Sequence, residues 1–426
     1  MTTRYGRLAI NGGKPAKHKP MPPMYPGGMA MGKEEEQAVI EVIRNKRLFR
    51  YYGPKNGLSK TAEFEKSFAK NFGVKYVRAV SSGTAALICA LVGAGVGPGD
   101  EVIVPAFTWI STASAAIMLG AIPVIAEIDS SLTFDPNDVC RKVTKLTRAI
   151  LPVHMCGAPA DMDSIMAIAR KYKLTVIEDA AQAIGGSYHG AYLGSIGDLG
   201  TFSLQFNKII TTGEGGLVVT NNRNKWLRVS TYHDPISISM GRDIDIKIAP
   251  HFVGQNYRAS EFIGTLGLVQ LGRLNTLIAA MRSRKRKILA GLQGISGLEF
   301  RHLHDIKGDT ATSVVFFLPT VNKAKKFSAA LTAENVRSRN LYSPEKLDYH
   351  VYAHWHQILN KTSATAANFP WSHKYYKGKV NYSRNMCPQT LDILSRAVLF
   401  DISPSLTTKE VEEIIFAVKK VANAIL

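Results

Sequence analysis

Short apolar runs alternate with helical stretches along the chain from about residue 74. The runs lack the polar alternation of a half-exposed strand, and segments of roughly 10 to 15 residues with helical periodicity separate them. This pattern is typical of parallel strands covered by helices on both faces. It predicts an α/β domain with a mostly parallel sheet, whose strands lie in VKYVRAV (74–80), EVIVPAF (101–107), IPVIAEI (122–128), AILPVHM (149–155), LTVIEDA (174–180), GTFSLQF (200–206) and GGLVVTN (215–221).

The periodicity changes after this region. Residues 260–292 have apolar positions three and four apart, which predicts one long helix connecting to a second domain. The remaining segments predict a smaller α+β domain that ends in a helix capped by Thr407 or Thr408, with Glu410 completing a capping box. The expected organisation is an extended N-terminal arm (1–30), a large α/β domain (31–275) and a small α+β domain (276–426).

Composition narrows the class of protein. The chain has 426 residues, of which 46% are hydrophobic and 20% charged, so it can bury a large core without metal or disulfide support. Its four cysteines are far apart and form no CxxC pair, which fits a reducing cytoplasm. The N-terminus lacks the apolar segment of a signal peptide, and the longest apolar run (115–126) is short and interrupted. We therefore expect a cytoplasmic protein that neither is exported nor spans a membrane.

The net charge of +20 is unusual, with 53 Lys and Arg against 33 Asp and Glu. Such an excess suits nucleic acid, an anionic membrane surface or acidic small molecules. Its densest clusters are RSRKRK (282–287) and the tyrosine-containing segment 374–384. No helix-turn-helix, zinc-finger or RNP pattern accompanies them. The sequence therefore favours a solvated helix face and a basic loop over a nucleic-acid site.

Four candidate groups follow strand ends, and the carboxyl ends of parallel strands meet at one edge of a sheet. SSGT (81–84) can cap a helix or bind a phosphate at the helix N-terminus. Trp109 can pack in the core or stack on a planar cofactor. Asp179, next to Glu178, can cap a helix or keep a pyridine nitrogen protonated. Lys208, beside apolar residues, can extend to solvent or serve as a desolvated amine.

Together these groups are the parts of a pyridoxal 5′-phosphate site: an anion cradle, a stacking ring, a carboxylate and a lysine in apolar surroundings. The motifs PAFTW, IEDAAQAIG, FSLQFNK and TTGEGG also resemble the DegT/StrS sugar aminotransferases, within the fold-type I pyridoxal phosphate enzymes. The resemblance extends over nearly the whole chain from about residue 32.

The resemblance implies roles for individual residues. Lys208 is the lysine that forms the Schiff base and acts as general base, and Asp179 is the partner of the pyridine nitrogen. Asn256, in GQNYRASEF, reaches the phosphate in the neighbouring subunit, which implies a homodimer with shared active sites. His154 and Arg258 are implied as substrate contacts. The remaining cofactor contacts are Ser82, Gly83, Thr84, Trp109, Gln182 and Ser203.

The implied reaction moves an amino group from an amino acid, L-glutamate above all, to a keto or aldehydo sugar. Some relatives of this family are dehydratases with histidine in place of the lysine, and Lys208 argues against that activity because histidine cannot form the Schiff base. A non-catalytic nucleic-acid-binding protein is the alternative of another class.

The acceptor stays open. FRYYGP (49–54), VHMCGAPADMD and GDTATSVVFFLPT most resemble family members that aminate a 3-deoxy-octulosonate, a sugar of lipopolysaccharide. The implied acceptor is then an 8-oxo-3-deoxy-octulosonate. The segment LAINGGKP instead resembles enzymes that aminate aminocyclitol precursors or nucleotide-linked keto sugars in natural-product pathways. No metal is expected.

Overall fold

The structure is a computed structural model that describes residues 5–51, 59–236, 244, 247–364 and 367–426. Residues 52–54 of the FRYYGP motif lie outside these ranges. The chain forms two sheets with helices packed around them, together with a short hairpin of strands β6 (Ser187–Tyr188) and β7 (Ala191–Tyr192).

The large sheet has seven strands in the order β1-β9-β8-β5-β4-β2-β3. Strand β9 runs antiparallel to both of its neighbours, and the remaining pairs are parallel. Most strand positions are buried, which explains why the sequence shows apolar runs without alternation. The mostly parallel sheet is as predicted, and its strands are β1 (Tyr76–Val80), β2 (Glu101–Pro105), β3 (Ile122–Ala126), β4 (Thr147–Ile150), β5 (Thr175–Asp179), β8 (Leu199–Ser203) and β9 (Gly216–Thr220).

Helices cover the sheets, and polar side chains cap many of their N-termini. Ser82 accepts a hydrogen bond from the Ala85 amide, and Ser260 caps the predicted long helix. Thr407 and Glu410 form the predicted capping box. The described α-helices are α1 (Pro26–Met29), α2 (Lys33–Arg44), α3 (Lys60–Phe72), α4 (Gly83–Gly93), α5 (Ser111–Met118), α6 (Pro136–Lys142), α7 (Met162–Tyr172), α8 (Arg223–His233), α9 (Glu261–Leu292), α10 (Val321–Ala333), α11 (His356–Leu359), α12 (Pro388–Arg396) and α13 (Thr408–Ile425).

A second, antiparallel sheet lies in the C-terminal part, in the order β10-β11-β13-β12. Strands β10 (Glu299–Phe300) and β11 (Ser313–Phe317) lie in LEFRHL (298–303) and TSVVFFLPT (312–320), two of the segments from which the α+β domain is predicted, although β10 is only two residues long. Strands β12 (Ser338–Asn340) and β13 (Ala397–Asp401) are additions to the prediction. They pair residues that are distant in the chain, such as Ser338 with Phe400, so no local signal marks their partnership.

The long helix α9 packs against α2, α3 and α13. It is the one described helix that is long and apolar enough to cross a membrane, although that test is also passed by core helices of soluble proteins. In this fold α9 buries Gln270, which bonds to Glu35, and Lys285, which pairs with Asp309 at 2.5 Å. The predicted boundary at residues 275 and 276 lies within α9, so the two parts share this helix.

The basic cluster on α9 differs from the predicted solvated face. The Arg282 Nε donates to the Asp309 carbonyl at 2.7 Å, and the Arg284 Nε donates to the Leu406 carbonyl at 2.6 Å. Together with the buried pair of Lys285, these contacts attach α9 to the C-terminal sheet region. Three of the five cationic side chains in the cluster therefore bind main-chain or carboxylate oxygens within the fold. The other two, Arg286 and Lys287, are exposed.

The second basic segment is also anchored to the rest of the fold. The Tyr376 hydroxyl donates to Glu101 at 2.8 Å, and the Tyr382 hydroxyl donates to the Pro123 carbonyl at 2.6 Å. The tyrosines that suggested a nucleic-acid surface thus include two that fasten the segment to the large sheet.

The N-terminal arm contacts both the C-terminal region and the large α/β region. The Ala9 and Ala16 amides donate to the buried Glu334 carboxylate, and the fully buried Lys17 pairs with Glu410 at 3.0 Å. Further along, the Gly27 amide donates to the Lys208 carbonyl at 3.3 Å. The predicted extended arm is therefore fixed to the C-terminal layer at one end and to the Lys208 loop at the other.

Candidate active site

A cleft of about 680 Å³ opens at the carboxyl ends of the parallel strands, facing the C-terminal sheet. Strands β1 and β8 both pair with β9, and their ends Val80 and Ser203 meet the same residue, Gly216. The loops that follow these strands therefore lie side by side. The structure brings most of the predicted site residues onto this cleft, namely Ser82, Gly83, Thr84, Trp109, Asp179, Gln182, Ser203 and Lys208.

The anion cradle is the start of helix α4. Ser82 is extended and caps the helix, and Gly83 begins it. A Cβ atom on Gly83 would lie 2.8 Å from the Cβ of Ser203, so only glycine lets these two loops approach. The Thr84 hydroxyl donates to Ser111 at 2.9 Å. Main-chain amides at the positive end of the helix dipole and nearby hydroxyl groups suit a phosphate.

Asp179 ends strand β5 and is 5% exposed. The Thr112 hydroxyl donates to its Oδ2 at 2.9 Å, and the Ala181 amide donates to its Oδ1 at 3.1 Å. Burial raises the pKa of Asp179, while these hydrogen bonds and the positive charge of Lys208 oppose the rise. The ionised form of a buried carboxylate is stabilised by a cationic partner, which the cleft has room to hold beside Asp179.

Glu178, the neighbour of Asp179, faces away from the cleft and is fully buried. Its carboxylate accepts hydrogen bonds from the amides of Gly194, Ile196 and Gly197 at 2.6 to 2.8 Å. The two adjacent carboxylates thus have different positions: Glu178 holds a loop, and Asp179 faces the cleft.

His154 lies beside Glu178 and does not line the cleft, which corrects its expected position as a substrate contact. It is fully buried, its Nε2 lies 3.0 Å from Glu178, and its Nδ1 accepts from the Ala160 amide at 3.1 Å. Both ring nitrogens are therefore occupied by the protein. Its main-chain amide donates to the Asp179 carbonyl at 3.1 Å, so His154 supports the strand end that carries Asp179.

Lys208 follows β8 in a tight turn, where its amide donates to the Gln205 carbonyl at 3.0 Å. The next residues, Ile209 and Ile210, are buried, whereas Phe206 is exposed and packs against Tyr25 of the N-terminal arm. Burial lowers the pKa of Lys208, although the negative charges of Asp179 and Glu214 oppose this. A lower pKa increases the fraction of neutral amine, which is the form that acts as nucleophile or base.

Trp109 and Gln182 also line the cleft. Trp109 is 47% exposed, and the centroid of its ring lies 5.0 Å from that of the His350 ring. Gln182 is oriented by the Cys156 amide, which donates to its Oε1 at 3.0 Å. A broad aromatic face and a fixed amide group are thus presented to the cleft.

Asn256 and Arg258 are outside the set of residues that line the cleft. Asn256 is exposed. Arg258 forms an ion pair with the buried Asp234 at 2.8 Å. Its guanidinium group therefore binds a carboxylate of the same chain. The structure therefore separates these two residues from the other predicted site residues.

The C-terminal sheet and the arm supply cleft residues that the sequence analysis missed. Arg337 and Arg339 alternate around β12 and therefore face the same side. Arg339 pairs with Asp401 on β13 at 3.1 Å. The alternation of VRSRN was the available signal, but its meaning depends on a strand that forms only with β13. The other missed residues include Met24, Tyr25, Pro26, Thr312, Ser313 and His350.

Comparisons with known proteins agree with this geometry. Residues 29–370 match the DegT/DnrJ/EryC1/StrS aminotransferase family. The chain is 43% identical over 219 residues to GDP-perosamine synthase of Caulobacter vibrioides, covering 51% of this chain and 58% of that protein. It is 36% identical over 298 residues to L-glutamine:2-deoxy-scyllo-inosose aminotransferase of Streptoalloteichus tenebrarius, covering 68% and 69%.

Two further matches extend over nearly the full length. Spore coat polysaccharide biosynthesis protein SpsC of Bacillus subtilis is 32% identical over 404 residues, covering 92% of this chain and 95% of SpsC. The crystal structure of 3-amino-5-hydroxybenzoic acid synthase has a TM-score of 0.75 at 27% identity, covering 96% of this chain and 99% of that one. These matches confirm the predicted fold-type I α/β class.

Proposed function

The chain belongs to the DegT/DnrJ/EryC1/StrS aminotransferase family of sugar aminotransferases, and we propose that it transfers an amino group from L-glutamate to a keto or aldehydo sugar. Its cofactor is pyridoxal 5′-phosphate. The observation that carries the proposal is that one cleft brings together the buried carboxylate of Asp179, the amine of Lys208, whose pKa is lowered by burial, and the helix start at Ser82.

The residues of the cleft fit this cofactor. Asp179 would hold the pyridine nitrogen, and Lys208 would hold the cofactor covalently. The phosphate would lie at the start of α4 and beside Ser203, where the absence of a side chain on Gly83 lets the two loops approach. The remaining proposed contacts are Ser82, Thr84, Trp109 and Gln182. When bound, the cofactor supplies an electron sink for the carbon that loses a proton.

The chain's own groups then have separate tasks. Once the donor's amino group has replaced Lys208 on the cofactor, the released neutral amine of Lys208 would take the proton from the α-carbon of the donor, and it would return a proton in the reverse half of the reaction. Asp179 would keep the pyridine nitrogen protonated, and that cation would in turn favour the ionised carboxylate, which burial alone disfavours. Thr112 and Ala181 fix the orientation of that carboxylate.

The opposite wall of the cleft suits anionic substrates. Arg337 is exposed there and has neither an ion pair nor a hydrogen bond within the described parts of the chain. Glutamate carries two carboxylates, an octulosonate carries one, and a nucleotide-linked sugar carries phosphates. A guanidinium group can bind each of these anions through paired hydrogen bonds. The position of Arg337 therefore supports an acidic substrate, but it does not distinguish glutamate, an octulosonate and a nucleotide-linked sugar.

The test is a panel of acceptors, each with glutamate or glutamine as donor. The acceptors are a nucleoside diphosphate 4-keto sugar, 2-deoxy-scyllo-inosose and an 8-oxo-3-deoxy-octulosonate. Cofactor absorbance follows each half-reaction, and mass spectrometry identifies the amino product. Amination of one acceptor by wild-type protein and by Lys287→Ala, an exposed-lysine control, supports the proposal. Failure with all three acceptors and both donors contradicts it.

We also propose a homodimer whose active sites are shared. The support is that Asn256 is exposed and away from the cleft of its own chain, although the resemblance assigns it a phosphate contact. Lys208→Ala and Asn256→Ala proteins, mixed under subunit exchange, should then form heterodimers with one intact site. If light scattering shows a monomer and that monomer is fully active under the same conditions, the active sites are not shared.

We place the reaction in the cytoplasm, because all four cysteines are free. A non-catalytic nucleic-acid-binding role has less support, since the RSRKRK cluster contributes three side chains to internal contacts. Salt-sensitive binding to duplex DNA would contradict this assignment.

A further inference from the structure

The segment Asp348–Tyr352 runs along the loop that follows strand β2. The Thr108 amide donates to the His350 carbonyl at 2.8 Å, and the Ile110 amide donates to the Tyr349 carbonyl at 3.0 Å. Phe107 and Val351 form an isolated antiparallel bridge between the two segments. This main-chain pairing fixes the position of His350 relative to Trp109 at the cleft.

His350 is the histidine that lines the cleft within the part of the chain that the structure describes. Its side chain is 34% exposed, and its Nδ1 lies 2.8 Å from Asp348 Oδ1. Its main-chain amide donates to the same carboxylate oxygen at 2.9 Å. The ring also contacts Trp109, with centroids 5.0 Å apart.

This pairing determines what the imidazole can offer to a substrate. A carboxylate accepts hydrogen bonds, so the proton of the neutral ring lies on Nδ1 and points to Asp348. The second nitrogen, Nε2, is then an acceptor, and the described residues provide no hydrogen bond to it. His154 differs, because both of its nitrogens are occupied within the core.

An acceptor nitrogen distinguishes the two substrates. A sugar offers hydroxyl groups, which donate hydrogen bonds, whereas the side chain of glutamate offers carboxylate oxygens, which only accept. Building on the proposed function, we propose that His350 determines specificity for the sugar by accepting a hydrogen bond from one of its hydroxyl groups at Nε2. Asp348 is the positioning residue that holds the ring in the required tautomer.

Two variants separate the two nitrogens of His350. His350→Asn retains a polar atom near Nδ1 and has no atom at the position of Nε2, whereas His350→Gln places an amide oxygen near Nε2. His356→Asn is the matched control, because His356 is an exposed histidine nearby in the chain that does not line the cleft. Each half-reaction is measured separately with the acceptor that the panel above identifies and with glutamate.

We expect His350→Asn to lower the rate constant over KM of the sugar half-reaction roughly tenfold, which corresponds to one lost hydrogen bond. The glutamate half-reaction should change by less than about twofold, because the carboxylate oxygens of glutamate have no proton to donate to Nε2. His350→Gln should recover part of the loss, and His356→Asn should resemble wild type. Cofactor content should be unchanged in all variants.

The outcomes distinguish the proposal from its premise. Equal losses in both half-reactions would show that His350 acts through Trp109 on the cofactor, and this would overturn the specificity role. An unchanged sugar half-reaction in His350→Asn would also overturn it. If wild-type protein aminates no acceptor of the panel, the proposed function itself fails, and the role of His350 fails with it.

Discussion

The attachment of the N-terminal arm depends on one buried carboxylate, and its removal should release the arm. Glu334 is fully buried and accepts from the amides of Ala9 at 2.8 Å and Ala16 at 2.7 Å. It also pairs with Lys420 at 2.9 Å, and the Lys420 side chain is 4% exposed. Glu334→Leu leaves this ammonium group without its anion, although Lys420 keeps a hydrogen bond to the Lys14 carbonyl.

The expected cost follows from these contacts. Removing one partner of a buried ion pair destabilises a protein by about 3 to 5 kcal/mol. The free energy of opening the arm should fall by up to this amount, and at most by its wild-type value, because the arm loses its two hydrogen bonds to Glu334. A change of about 3 kcal/mol accelerates hydrogen exchange roughly 100-fold where exchange follows local opening. The double variant Glu334→Leu, Lys420→Met should recover part of the loss, since it removes both charges.

Hydrogen exchange measured by mass spectrometry on peptides within residues 8–20 tests this expectation. The control is Glu412→Leu, which removes an exposed carboxylate from helix α13. Exchange in residues 8–20 should accelerate in Glu334→Leu and remain at the wild-type rate in the control. Wild-type protection in Glu334→Leu would refute the reasoning, and so would a double variant that is less protected than the single one.

Three further predictions concern the site and its support. Lys208→Ala should keep its far-UV circular dichroism and lose both half-reactions, and comparable turnover would contradict its role as base. Asp179→Asn should keep its cofactor while the glutamate half-reaction slows roughly 10- to 100-fold, as expected for a lost charge-assisted hydrogen bond, and a near-normal rate would reassign the pyridine partner. Burial favours a higher pKa for Glu35, but hydrogen bonds, first that from Arg273, lower it from 4.5 to about 2. The stabilisation from Glu35 is therefore present above pH 4.5 and is lost as the pH falls towards 2, so Glu35→Gln should cost about 3 kcal/mol at neutral pH and flatten the acid limb of urea stability curves.

The sequence was informative where burial is uniform along a segment. Local apolar patterns specify strands such as β5 and helices such as α9, and caps such as Ser260 mark where helices begin. These signals can be read without knowing which elements pack together. Strand β12 is different, because its three residues gain strand character only by pairing with β13, about 60 residues later. The cleft position of Arg339 depends on that pairing.

Charge was the property least readable from sequence. Arg282, Arg284 and Lys285 form a cationic run typical of a solvated surface, yet two of them bind main-chain carbonyls. Main-chain acceptors exist at every residue, so no sequence pattern indicates which ones a guanidinium group will meet. The position of His154 was hidden for a different reason: its partner Glu178 is a buried side chain of the next strand, and only the fold brings the two together.

Residues from both sheets line the cleft. The large sheet supplies Asp179 and the loops around Lys208, and these groups are held by main-chain and hydroxyl contacts within that layer. The opposite wall includes β12 and the segment that carries His350, and this segment also hydrogen-bonds to the loop that carries Trp109. Strand β12 makes its ladder contacts with β13, so we expect substitutions at β12 to change acceptor binding with little effect on Asp179 and Lys208. A change of Arg337 should accordingly alter the KM of anionic substrates while cofactor content stays constant.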